Sequence, residues 1–267
     1  MNPLTSAQKA PSQLGRSVSS WLAGWWRIVL FGAQILVLVL MPGNYRGGGR
    51  AVLVRHIYLA TAPRLLGFTL LTALFALVLI RIVYVTSLSY GLSQYALEMV
   101  VRVLVLELIP LTAALFVAVR YAIPRGSELY KLRTRGGFDA LRARGFDPVH
   151  HELLPSVVAG IFAVFTLAAV SGAVALVLGY ITVYGFTSAA FSTYTRTVGQ
   201  VFAPAVTLIF GLKTLFYSLA VTLIPMGTSL LDLSSTLSRT TIELNGLVRM
   251  FAVLLLVELL SLVGNYY

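Results

Sequence analysis

Residues 156–184 read SVVAGIFAVFTLAAVSGAVALVLGYITVY, a run with no charged side chain. About 20 apolar residues in a helix cross the hydrocarbon core of a bilayer. A helix that is apolar on every face has no polar side to turn towards water. Working outward from this run, four further stretches of similar character appear at 65–86, 99–120, 201–224 and 248–266. The pattern predicts an all-α integral membrane protein with five transmembrane helices. Composition agrees, because 58% of the chain is apolar and only 11% is charged, against about a quarter charged in an ordinary soluble domain.

A sixth apolar segment, Trp21–Met41, is of a different kind. It holds three tryptophans near its start and carries Arg27 and Gln34 within it. Tryptophan and arginine on one short helix favour a helix lying in the membrane interface over a sixth span. Pro42, Gly43 and the run Gly47-Gly48-Gly49 then break the chain. The expected organisation is a polar tail over 1–20, an interfacial helix and linker over 21–50, and a membrane domain over 51–267. The polar tail has no cleavable-signal pattern, and no small-residue cleavage site follows the first apolar run.

Basic residues set the orientation. The stretch before the first span holds Arg46, Arg50, Arg55 and Arg64, and the loop at 121–153 holds Arg125, Lys131, Arg133, Arg135, Arg142 and Arg144. The loop at 87–98 has none, and that at 185–200 has Arg196 alone. The positive-inside rule places the N-terminus and 121–153 in the cytoplasm. Five spans then put the C-terminus, with its interfacial tyrosines Tyr266 and Tyr267, on the opposite side. The net charge of +11 is accounted for by these loops and by lipid headgroups, not by nucleic acid. Within 121–153, Phe138–Arg144 reads as a short helix between Gly136-Gly137 and Gly145. It is either part of a solvated basic loop or a docking element for a cytoplasmic partner.

The chain has no cysteine, which excludes disulfides, thiolate metal sites and cysteine nucleophiles. Gly47-Gly48-Gly49 lacks the Lys-Ser/Thr of a nucleotide loop. His150-His151-Glu152 lacks further ligands and a shared helix face, so neither a metal nor another cofactor is expected. The informative residues are the ionisable ones inside spans, since each costs a few kcal/mol unless paired or hydrated. These are Arg81 in the first span, Glu107 in the second, Lys213 in the fourth and Glu258 in the fifth. Structural pairing would join Lys213 to one glutamate and Arg81 to the other. A hydrated or headgroup-contacting cavity is the functional alternative. Glu98 and Arg102, four apart, read as a helix-end salt bridge. Pro110, Pro155, Pro204 and Pro225 read as kinks or helix starts.

Several short stretches resemble the MlaE permease family in consistent order over residues 50–260. They begin at Leu53-Val54-Arg55-His56-Ile57-Tyr58. Glu107-Leu108-Ile109-Pro110 is similar to the family's R-E-L-G-P, and Arg120 to its G-R. Gly126-Ser127-Glu128 is similar to A-E-[IL]-G, and Asp139-Ala140-Leu141 to the end of E-Q-[IL]-D-A-L. Gly145-Phe146-Asp147-Pro148-Val149 is similar to M-G-V-D-P-V, with Pro155 just beyond. Lys213 matches a lysine of the fourth span, and Ser238-Arg239-Thr240-Thr241 is similar to S-R-A-T-T. The chain departs from the family at Leu106, Ile109, Gly136-Gly137 and Ile82, while Tyr84 is kept.

The resemblance implies a permease subunit of an ABC-type phospholipid transporter in the bacterial inner membrane. Its expected partners are a cytoplasmic ABC ATPase that hydrolyses ATP, a periplasmic MCE-domain protein and a second permease chain. It also implies a lipid pathway near Arg81, Tyr84, Glu107, Lys213 and Glu258. ATPase coupling would run through Glu128, Phe138, Asp139, Leu141, Asp147 and Pro148, with the paired glycines loosening the start of the coupling helix. A non-transporting scaffold that anchors an MCE-type complex is the alternative. An intramembrane enzyme is disfavoured, because no catalytic set is clustered in the sequence.

Overall fold

The computed structural model of the protein describes residues 9–41, 49–231 and 239–266. Pro42 to Gly48, Ser238 and Tyr267 lie outside them. Among the described residues, eight long or short α-helical stretches follow one another: α1 (Lys9–Leu40), α2 (Gly49–Ser89), α3 (93–134), α4 (Gly137–Ala143), α5 (149–184), α6 (Phe191–Val201, after a 3-10 turn at Ser188–Ala190), α7 (Pro204–Leu231) and α8 (Arg239–Tyr266). Among the described residues, six helices are long and apolar enough to cross a membrane: the five expected spans and Ala23–Leu40 of α1.

The path of α1 distinguishes it from the other five. Gly24 abuts α8, where an added Cβ would meet Arg249 Nη2 at 2.6 Å. Gly32 approaches Leu223 of α7, and Phe31 packs against Gly227 of the same helix. Residues 30–41 then lie beside Asp147, Val149 and His150 at the foot of α5. The helix therefore passes α8, α7 and α5 in turn near one end of the bundle.

The bundle is built around α3, whose most apolar window is 61% buried against 44% or less in every other span. The most extensive packing is between α2 and α5, followed by that of α7 against α3 and against α8. Apolar burial alone does not drive helices together in lipid, so close approach of small residues has to contribute. The buried face of α5 supplies it with Ala159, Gly160, Ala163, Ala168, Ser171, Gly172 and Ala175. The outward face of α2 carries Leu66, Leu70, Leu74 and Val78, all exposed, as expected where lipid is the solvent.

Three prolines inside α3 and α5 are accommodated by the same local device. Proline has no N–H and its ring collides with the carbonyl four residues back. In each case the residue before the proline bonds five residues back instead: Ile109 to Leu104, Ile123 to Ala118 and Leu154 to Val149. The π-helical turns Val101–Leu108, Ala118–Ala122 and Val149–Leu153 thus lead into Pro110, Pro124 and Pro155. Widened turns let the helices continue through these prolines instead of ending at them. Pro204 starts α7, and Pro225 lies within it.

The closest helix approach gives a test of this packing. A Cβ on Gly160 of α5 would overlap Thr222 Cγ2 of α7 and come within 3.3 Å of Tyr121 Cε1. Gly160→Ala should therefore destabilise the protein by about 1–3 kcal/mol, read as a lowered melting temperature in detergent. Adding Thr222→Ser removes the opposing methyl but keeps the hydroxyl bonded to the Ser218 carbonyl, and should restore most of the loss.

Candidate functional site

The ionisable residues of α3, α7 and α8 meet inside the bundle. Lys213 lies nine residues past the start of α7, about 14 Å along the helix axis at 1.5 Å per residue, which is near mid-membrane. Its side chain is 1% exposed and reaches two carboxylates, Glu107 Oε2 and, at 2.8 Å, Glu258 Oε2. Tyr217, one turn further along α7, donates its hydroxyl to the same Glu258 oxygen, and its ring centroid is 5.6 Å from the ammonium. Glu107 is buried, whereas Glu258 keeps 18% of its side chain exposed. One ammonium therefore ties together three spans, and the cluster opens towards the surface along Glu258.

Glu107 sits at the end of the first π-helical turn, three residues before Pro110. The widened turn is where the backbone of α3 departs from regular helix, and such turns recur at functional positions. Arg81 does not join the cluster. The sequence offered one glutamate to Lys213 and the other to Arg81, but Lys213 takes both. Arg81 lies on the exposed face of α2 beside Ile82, and among the described residues no ion pair of Arg81 is found. Tyr84, three residues on, is half-buried.

A second polar knot lies at the basic end of the bundle. Arg125 of α3 bonds Glu152 of α5 at 2.5 Å, Glu128 at 3.1 Å, Ser156 Oγ at 2.9 Å and His56 Nε2 of α2 at 3.3 Å. Tyr121 donates to the Ser156 carbonyl at 3.0 Å. Arg64 of α2 bonds the Arg120 carbonyl at 3.0 Å. The sequence shows Arg125 and Glu128 three apart on one helix, a readable pair. It gives no sign of His56 or Glu152, which lie far off in the chain.

The short helix α4 hangs from this end. Gly136 before it has φ +73° and Gly145 after it φ +80°, left-handed conformations that other residues adopt at a cost. A Cβ on Gly137 would sit 2.8 Å from the Leu132 carbonyl oxygen. Of the paired glycines that replace the family's Glu-Gln, Gly136 thus supplies the left-handed turn and Gly137 the close approach to Leu132. At the far end, Phe146 N–H bonds the Leu141 carbonyl and Gly145 N–H the Arg142 carbonyl, a Schellman closure that satisfies the last carbonyls. Phe138 and Leu141 are half-buried, Phe138 against the core, while Asp139, Ala140, Arg142 and Ala143 are exposed. Asp147 Oδ1 accepts the Val149 N–H at 3.1 Å, and Pro148 is buried. Both therefore shape the entry into α5. Glu128 is exposed beside Arg125.

The ion cluster makes a direct prediction. Lys213→Met leaves two carboxylates without their cation and should cost about 3–5 kcal/mol, seen as loss of thermal stability in detergent. Adding Glu107→Gln and Glu258→Gln to the same chain removes the stranded charges and should recover much of that stability.

A family model described as Permease MlaE matches residues 53–263. No curated protein matches the chain. The matched span begins in the first turns of α2 and ends in the last turns of α8, so it contains the ion cluster, the Arg125 knot and α4. The chain therefore belongs to the MlaE permease family, as a multi-pass membrane protein that serves as the permease, the transport subunit, of an ABC-type lipid transporter.

Proposed function

We propose that this permease moves phospholipid as one of two permease chains, driven by a separate cytoplasmic ATPase and working with a periplasmic MCE-domain protein. The observation that carries the reading is α4. It is a short helix with an exposed polar face, closed at both ends by left-handed glycines and fixed to the basic end of the spans. A permease without a nucleotide site must receive force through such an element. Asp139, Ala140, Arg142 and Ala143 present the outward face to the ATPase. Phe138 and Leu141 seat the helix on the bundle, and Glu128, Asp147 and Pro148 hold its surroundings.

The lipid pathway in this reading runs along Glu107, Lys213 and Glu258, with Arg81 and Tyr84 towards the periplasmic end. Arg81 suits a phosphate headgroup, because its guanidinium is always charged and binds phosphate at two points. The protein sits in the bacterial inner membrane. The basic ends of the spans face the cytoplasm, α1 lies at that surface, and the C-terminus is periplasmic. The sideways course of α1 past three helices supports the interfacial assignment over a sixth span.

Two experiments test this. The pair Ala140→Glu and Ala143→Glu places two charges on the outward face of α4 without touching its seat or the cavity beside it. ATPase should then be lost from the purified complex while membrane insertion stays normal, and full retention of ATPase would remove α4 from the coupling role. For topology, a C-terminal tag should be labelled from the periplasm and a tag in 121–153 from the cytoplasm. A cytoplasmic C-terminal tag would make α1 a sixth span.

A further inference from the structure

Two cavities adjoin between α1 and the foot of the bundle, away from the ion cluster. The first, about 420 Å³, has an apolar back of Phe31, Leu153 and Leu230 and a polar rim of Arg133, Asp139 and Arg142. The second, about 650 Å³, is an apolar groove running along α1 by Leu30, Val37 and Met41, and it ends beside Asp147 and His150. Phe31 and Val149 line both, so the groove runs into the basic chamber.

From this shape and charge we infer that the joined cavities hold an anionic phospholipid of the leaflet on the basic side of the membrane. Its phosphate would sit between Arg133 and Arg142, and an acyl chain would lie along α1. Arg133 uses Nη1 on the Leu230 carbonyl and has further N–H donors to offer. Arg142 is 3.4 Å from Asp139, and this pair is largely exposed, so a phosphate has only a weak partner to displace. Among the described residues, the carboxylates facing the cavities are Asp139 and Asp147, each matched locally, Asp147 by His150 at 3.6 Å. Lys131, Arg135 and Arg144 stand exposed on the same loop but line neither cavity. Basic pockets between helices at this face select anionic headgroups.

A free phosphate would not need the groove, and a water-soluble ligand would gain little from its apolar lining. The outer side of α1, with Trp26, Val29 and Leu40 exposed, is itself apolar, so the groove opens to acyl chains. The lipid would fasten α1 to the foot of α5 and to α4, at a site separate from the transported lipid's pathway. This inference rests on the reading of α1 as a helix at the membrane surface.

The test uses the full chain alone in nanodiscs of equal phosphatidylglycerol and phosphatidylcholine, with retained lipid identified by native mass spectrometry. Wild type should retain phosphatidylglycerol preferentially. Arg142→Gln should lower that preference about fivefold, and Arg133→Gln with it by a similar further factor. Ala33→Trp, which fills the groove from an exposed position, should reduce retention of both lipids. Lys131→Gln with Arg135→Gln, outside the cavity, should change the preference little. The inference is overturned if the preference survives the Arg133 and Arg142 changes. An equal loss in the Lys131 and Arg135 pair, or displacement of the lipid by inorganic phosphate, would overturn it too. No ATPase is present, so failure of the coupling reading leaves this result intact. A preference that persists while tags make α1 a span would keep the site and remove the interfacial assignment.

Discussion

An ammonium withdrawn from water in mid-membrane has to be met by charge, and Lys213 is met by two carboxylates on two other helices. That requirement fixes more than a local contact. Glu107 must face inward from α3, Glu258 from α8, and α7 must run between them at matching depth. The π-helical turn ahead of Pro110 shifts the helical phase of α3 just where Glu107 points at the lysine. A proline and a charge, each unfavourable in an apolar helix by itself, occupy adjacent turns of one device.

The same economy of parts governs the helix ends. Pro124 and Pro155 widen α3 and α5 close to where those helices leave the membrane, and Arg125 then joins α2, α3 and α5 across the widened region. Below this knot the chain makes α4 by two left-handed glycines. The glycines that depart from the family's Glu-Gln would loosen a helix in isolation. Here they allow a turn that passes within contact of the Leu132 backbone, so the departure in sequence leaves a defined helix in place. Asp147 and Pro148 contribute by starting α5 at a fixed angle to α4. Only five residues, 144–148, separate α4 from α5.

Membership in the MlaE family and the arrangement of charges describe one molecule at two levels. The family match says what kind of machine the chain serves. The burial pattern says which parts of it are enclosed and which are presented. The ion cluster is enclosed except along Glu258, α4 shows a polar face, and the broad apolar flank of α2 carries Arg81 outside the cluster.

The sequence by itself determined the all-α membrane class, the positions of the long apolar helices, the concentration of basic charge at alternate ends and the short helix between glycines. Each follows from local quantities: run length against bilayer thickness, loop charge, and glycine's freedom at positive φ. It also identified Lys213, Glu107 and Glu258, because a charge in an apolar run stands out wherever its partner lies. Only the tertiary structure decided that one lysine takes both glutamates and leaves Arg81 outside. It alone brought His56 and Glu152 to Arg125, turned Phe138 inward and laid α1 across three helices. Pairings of this kind depend on the rotation and depth of helices distant in sequence. Apolar faces in lipid fix rotation weakly, since every side of such a helix is compatible with its surroundings. Small-residue contacts and buried charges choose among the rotations, and these exist only once the helices have met.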